Sequence, residues 1–253
     1  MPAFLLPSAG AILGLIIGSF LATLIIRWPA GRSVVNGRSS CDQCGHKLRG
    51  WQLIPVVSFV IQAGRCRQCG TPIVHDHLAI ELAAGLIGGL ALFVVPSING
   101  LAGAAFGWLL LALGALDVKH HWLPDRLTAI LALLGLTTCF FLTPTLLFDR
   151  LIGGLSGFGA LAIVGIAYKR VRGQEGIGGG DPKMLGGIGC WMGWAALPMV
   201  IFGASLAGLL VALIWRLKGG NVSASSLLPL GSLMALVAFP LWLYLSASGG
   251  LPY

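Results

Sequence analysis

Eight acidic residues stand among 253, so each can be weighed singly. Five have ordinary explanations. Asp42 between two cysteines and Asp76 in a loop read as solvated, Glu175 lies in a flexible glycine-rich loop, Asp149 looks like a helix cap, and Glu81 opens an apolar segment. Asp117, Asp125 and Asp181 remain. Asp117 ends an apolar run in Leu116-Asp117-Val118-Lys119, Asp125 follows Leu123-Pro124, and Asp181 closes Gly178-Gly179-Gly180-Asp181 and opens Pro182-Lys183-Met184. An aspartate beside a helix start satisfies orphan backbone N–H groups, which gives Asp125 and Asp181 a capping explanation. Asp117 has none, because it sits at a helix C-terminus, where the dipole disfavours negative charge. The glycine run allows backbone torsions closed to other residues and lets another chain approach closely. Asp117 and Asp181 at one membrane depth form a candidate aspartic dyad. Two like charges held close cannot both ionise readily, so one acid keeps a proton while the other activates water. That is chemistry for peptide hydrolysis without a metal.

Four cysteines form a second constellation. Cys41-Asp42-Gln43-Cys44 and Cys66-Arg67-Gln68-Cys69 each point two sulfurs from one tight turn, and Gly45 and Gly70 follow the pairs. Four thiolates suit a tetrahedral zinc ion. Two disulfides are the alternative, disfavoured if the segment faces the reducing cytoplasm. A closed four-cysteine site has no open position, so it stabilises rather than hydrolyses. Cys139 and Cys190 lie in apolar runs and read as small buried residues. Histidines 46, 75 and 77 read as solvated loop residues rather than ligands.

The elements that must position these groups are membrane helices. The chain is 57% hydrophobic and 9% charged, against about 25% charged in a soluble domain. Mean hydropathy is +0.91. The expected fold is all-α, a polytopic membrane protein of about eight spans, near 4–26, 78–96, 100–117, 125–143, 150–168, 184–197, 199–216 and 226–247. A single helix over 184–216 would be about 50 Å long against a hydrocarbon core of ~30 Å, so the reading breaks it at Pro198. With the N-terminus outside, segments 27–77, 118–125, 169–183 and 217–225 and the adjoining helix ends lie inside and hold 15 of the 16 basic residues, all but Arg150. The net charge of +8 is therefore a topology signal and not a nucleic-acid footprint. Residues 1–26 lack the basic start of a cleavable signal and read as a first transmembrane helix, 27–77 as a cytoplasmic four-cysteine insert, and 78–253 as the helical bundle. Bundle glycines such as Gly153, Gly154, Gly157 and Gly159 read as close helix packing. A transporter would carry charges deep within its spans, and a scaffold would not need Asp117 at an unfavourable helix end.

The ordered set of motifs resembles the type IV prepilin peptidases, a family of GxGD membrane aspartic proteases. Gly178-Gly179-Gly180-Asp181-Pro182-Lys183-Met184-Leu185 with Gly189, Trp191 and Gly193 is similar to the family's GxGD box, and Asp117 followed by Leu123-Pro124-Asp125 to its first aspartate box. Gly18-Ser19-Phe20-Leu21, Arg27, Pro29, both cysteine pairs, Trp51-Gln52-Leu53-Ile54-Pro55 between them and Glu81 after them also match. The resemblance implies an integral endopeptidase of the bacterial inner membrane. It would cut a short basic leader after glycine from prepilins and pseudopilins of type IV pili and type II secretion, at the cytoplasmic face. Asp117 and Asp181 would be catalytic, with Gly178, Gly180, Lys183 and Asp125 in support. Members with the cysteine insert also methylate the new N-terminal residue, usually phenylalanine, from S-adenosylmethionine. Here Ala22 stands where the family usually has asparagine, Gln52 where it has asparagine or aspartate, and His77-Leu78 where it has Tyr-Pro. A peptidase without methyl transfer is therefore an alternative. Without a glycine-rich dinucleotide fingerprint, Glu81 is the one candidate for the cofactor site. The basic loops are expected to hold the protein against anionic lipid.

Overall fold

A computed structural model of the chain describes residues 4–34, 40–41, 43–73, 75–174, 176–219 and 229–249. Asp42, Glu175, Arg38 and most of the 217–225 loop lie outside the described residues. The described residues form helices α1 (Leu5–Arg27), α2 (Val57–Ile61), α3 (His75–Val94), α4 (Ile98–His120), α5 (Asp125–Leu142), α6 (Leu147–Arg172), α7 (Asp181–Met192), α8 (Leu197–Leu217) and α9 (Leu230–Ala247). Short 3-10 turns occupy Gly50–Leu53 and Pro144–Leu146. Two isolated β-bridges, Ser40 with Lys47 and Arg65 with Pro72, are the extended pairings among the described residues.

Among the described residues, seven segments are long and apolar enough to cross a membrane: α1, α3, α4, α5, α6 with its leading turn, α8 and α9. Side chains such as Phe141, Leu155 and Val171 are more than 70% exposed, as on a surface that lipid covers. The chain is a multi-pass membrane protein of all-α class, with helices as the regular elements among the described residues. The eighth expected span, 184–197, is α7, which has 12 residues and is ~18 Å long. The break before α8 falls at Gly193 (φ 78°), not at Pro198. Pro198 instead sits in the first turn of α8, where its missing N–H costs nothing.

The chain divides into two compact units, Met1–Ala112 and Leu113–Tyr253, with the boundary inside α4. In the first unit α1 lies against α3. Gly10, Gly14 and Gly18 recur every fourth residue and form one buried stripe of α1. A methyl on Gly14 would run into the Ala84 carbonyl, and one on Gly18 would stand 2.7 Å from the Glu81 Cα. The backbones meet there, as small residues permit. The insert between α1 and α3 carries α2 and the four cysteines.

In the second unit every residue of α7 except Lys183 is buried. Gly153 and Gly157 of α6 meet Gly189 and Leu185 of α7, backbone to backbone. The Trp191 indole donates to the Leu131 carbonyl of α5 at 2.7 Å. Gly114 of α4 rests on Ser232 and Ala235 of α9. These contacts seat α7 against α5 and α6, and the start of α9 against α4.

Overpacking at a close crossing costs about 1–3 kcal/mol. Gly14→Ala and Gly189→Ala are expected to lower the midpoint of thermal unfolding in detergent. Gly159→Ala, with open space around it, is expected to leave it unchanged or raise it slightly. Equal midpoints for all three would refute the close-packing account.

Candidate active site and metal cluster

Asp117 lies in the last turn of α4 and Asp181 is the first residue of α7. Both are buried, at 6% and 7% exposure, so neither carboxyl can lean on bulk water. Asp117 Oδ2 accepts the Ser232 N–H at 2.8 Å, from the first turn of α9. The positive end of one helix therefore answers a charge that its own helix end disfavours. Asp181 Oδ2 accepts the Gly178 N–H at 3.0 Å, so the glycine run folds back onto the acid that follows it. The two aspartates are 64 positions apart in sequence, and Leu123 packs both on Gly180, which precedes Asp181, and on Gly231, which lies against Asp117 Oδ2. Asp181 lies outside the seven spans, and burial together with the neighbouring Asp117 charge pushes its carboxyl up to about 6.

The glycines act by approach and not by torsion. None of Gly178, Gly179 and Gly180 has a positive φ, contrary to the expectation of special torsions. A methyl on Gly178 would stand 2.9 Å from Asp181 Oδ2, and one on Gly180 would stand 2.5 Å from the Leu123 Cβ. Gly179 faces open space. Leu123 also closes on Gly231, where a methyl would lie 2.9 Å from both Leu123 and Asp117 Oδ2. His121, left-handed at φ 47°, turns the chain at the end of α4 toward this wedge.

Asp125 opens α5 without a side-chain cap bond, and instead pairs with Lys183 Nζ at 2.6 Å. Asp149 is in the first turn of α6, past the cap position, and its carboxylate packs against Gly193. Sequence reasoning missed Gly231 and Ser232. The only local signal is Pro229 before an apolar run, and nothing in that pattern names Asp117 as the partner.

In the first unit the Cys41, Cys44, Cys66 and Cys69 sulfurs all lie within 4.8 Å of one another. Cys41 and Cys69 Sγ are 3.9 Å apart, near the edge of a tetrahedron of thiolates at about 2.3 Å from an ion. All four are free thiols and not disulfides. The two turns are alike. Cys41 N–H donates to His46 and Gly45 N–H to Cys41, as Cys66 N–H donates to Thr71 and Gly70 N–H to Cys66. Gly45 (φ 68°) and Gly70 (φ 71°) occupy the left-handed position that closes each turn. This cluster could hold one metal ion. His46 is exposed, and His75 and His77 sit in the first turn of α3 rather than in a loop. None joins the cluster.

Glu81 of α3 is buried at 7% exposure, and its Oε2 accepts the Val56 N–H at 2.8 Å. Val56 has φ 61°, a strained conformation for a β-branched residue. Beside it a cavity of about 250 Å³ is walled by α1, α3 and the insert.

Comparison with known proteins follows the same division. Residues 12–95 match the model of the bacterial peptidase A24 N-terminal domain, and residues 104–213 that of the type IV leader peptidase family. A prepilin leader peptidase/N-methyltransferase of Burkholderia pseudomallei (strain 1026b) is 39% identical over 255 residues, covering 88% of this chain and 81% of the relative. One from Pseudomonas aeruginosa is 32% identical over 253 residues, covering 90% and 87%. One from Neisseria gonorrhoeae is 31% identical over 246 residues, covering 86% and 85%. No solved structure matches. On this identity over most of both chains, the protein belongs to the type IV leader peptidase family.

Proposed function

We propose that this protein is a membrane aspartic endopeptidase that removes the leader from prepilins and pseudopilins and methylates the new N-terminus. Asp117 and Asp181 are the catalytic pair in this reading. The observation that carries it is that two buried carboxyls stand on either side of Leu123, which packs on Gly180 beside Asp181 and on Gly231 beside Asp117. Two acids so close share one proton. The carboxylate of the pair takes a proton from water, and the oxygen so freed attacks the scissile carbonyl carbon. The carboxyl gives its proton to the carbonyl oxygen as that oxygen gains the electron pair. When the tetrahedral species collapses, the C–N bond breaks and the amine nitrogen receives a proton from the pair. The raised Asp181 carboxyl suits the proton-holding role. Gly178 and Gly180 keep side chains out of the site. Asp125 supports it by holding the Lys183 ammonium.

The charge pattern supports an inner-membrane protein with its N-terminus outside and both acids at the cytoplasmic face. The four cysteines hold a structural zinc ion, and residues 27–77 form part of the methyltransferase region. S-adenosylmethionine supplies the methyl group for the amine that cleavage exposes.

Incubation of a prepilin with the purified protein, lipid and S-adenosylmethionine is expected to yield a product that has lost its leader and gained one methyl, read by mass spectrometry. Leader loss alone would leave the peptidase and remove the methyltransferase. Asp117→Asn and Asp181→Asn are each expected to slow cleavage by at least about 10³-fold, as for groups that act as a unit. Folding, read by thermal unfolding, should persist. Full activity in either variant would overturn the dyad.

The pair must keep one proton, and a raised carboxyl keeps it to higher pH than usual. The kcat/KM profile is therefore expected to fall on its alkaline side from near pH 6 upward, where the Asp181 proton is lost. A profile level from pH 5 to 9 would contradict this. Elemental analysis is expected to find one zinc per chain. Cys66→Ser should remove it and lower the unfolding midpoint, since structural zinc is folding energy. Zinc retained in that variant would refute four-cysteine ligation.

A further inference from the structure

The first unit contains a site that the peptide-cutting acids do not use. It is the cavity of about 250 Å³ beside the cysteine turns. Its composition is specific. Among the described residues lining it, Arg27 and Glu81 are the formally charged ones, one of each sign. Glu81 is buried and oriented by the Val56 N–H. Arg27 extends from the end of α1, and its Nη2 donates to the Ser40 carbonyl at 3.3 Å.

Two side-chain amides form an ordered polar wall. The Arg49 N–H donates to Gln52 Oε1, Gln52 Nε2 donates to Gln62 Oε1, and Gln62 Nε2 donates to the Ser58 carbonyl. The chain of bonds fixes both amide orientations and leaves each side chain with further hydrogen-bonding capacity. Phe59 adds an aromatic surface to the lining. The strained Val56 backbone is retained at this place, and strain of that kind clusters at ligand sites.

A buried acid, a base, linked amides and an aromatic ring suit a zwitterion with a flat heterocycle. S-adenosylmethionine has that chemistry: a sulfonium and an ammonium, a carboxylate, and an adenine. We propose that this cavity binds S-adenosylmethionine, with Glu81 recognising the cationic sulfonium end, Arg27 the carboxylate, and the Gln52–Gln62 wall with Phe59 the adenosine. The assignment rests on the methyltransferase reading above. Cys41 and Cys66 also line the cavity, so the cysteine turns border it directly. A metal ion held by Cys41, Cys44, Cys66 and Cys69 would fix the insert that forms this wall.

The test is equilibrium binding of S-adenosylmethionine and of S-adenosylhomocysteine, which lacks the sulfonium charge, to the full-length protein in detergent. Wild-type protein is expected to prefer S-adenosylmethionine. Glu81→Gln keeps an acceptor for the Val56 N–H and removes the charge. It should erase that preference and weaken S-adenosylmethionine about tenfold, while S-adenosylhomocysteine changes little. Thr23→Phe, which fills the cavity from α1, should weaken both ligands. Each variant should still cleave prepilin in the absence of either ligand, which also reports its folding. Unchanged binding of both ligands in both variants, with wild-type protein still binding, would overturn the site and leave the methyltransferase reading intact. Wild-type protein that neither binds S-adenosylmethionine nor methylates the cleaved pilin would overturn both. Should Glu81→Gln fail to fold, Thr23→Phe decides: retained affinity overturns the site, and lost affinity with prepilin still cleaved supports it.

Discussion

A carboxyl group taken out of water must be given a hydrogen donor, and this fold supplies one three times over. Glu81, Asp117 and Asp181 are the buried acids among the described residues. Each accepts a backbone N–H from outside its own helix: Val56, Ser232 and Gly178 in turn. A hydrogen bond to a charged group is worth about 1.5–3 kcal/mol, and its loss leaves a buried charge uncompensated. Each acid therefore fixes a segment as much as the segment fixes the acid. Glu81 holds the strained turn that leads into α2. Asp117 pins the start of α9. Asp181 folds the glycine run back on itself.

Backbone donors have a consequence that side-chain donors would not. A peptide N–H cannot ionise and carries only a partial charge, so it orients a carboxylate without locking it into its charged form. A lysine or arginine in direct contact would favour the anion strongly. The catalytic role proposed for Asp117 and Asp181 would require the pair to exchange a proton with water and substrate, and dipolar donors allow this. Val56 and Ser232 donate although they carry a Cβ, whereas next to the two aspartates the backbone approaches so closely that a Cβ would clash. Gly178 and Gly231 meet that demand, while Gly179, with open space around it, does not need to be glycine on steric grounds.

Much of this was legible in the sequence because the signals are local. Apolar runs bounded by basic residues place the helices, and the cysteine spacing with its trailing glycines places the metal turns. Asp117 stood out because a negative charge at a helix C-terminus contradicts the dipole. What resolves the contradiction is the first turn of α9, 115 residues away, and no local pattern carries that distance. Pro198 was misread for a related reason. Proline disfavours a helix interior but is at home in a first turn, and its position in the pattern does not say which applies: Pro198 lies in the first turn of α8, and α9 runs on through Pro240. Pro240 remains within α9, whereas Gly193 does the breaking before α8.

The pairing of Asp125 with Lys183 follows from the same economy of charge. The pair is exposed, with side chains at 75% and 42%, so it contributes little to stability. Its effect is electrostatic and local. Lys183 lies two residues after Asp181 on α7, on a different face of the helix, and is the one residue of α7 that is not buried. An ammonium turned toward Asp181 would pull its proton away and return the carboxyl to the ordinary range. Bound to Asp125 instead, the charge is neutralised at the rim, and burial with the neighbouring Asp117 charge keeps the Asp181 carboxyl raised.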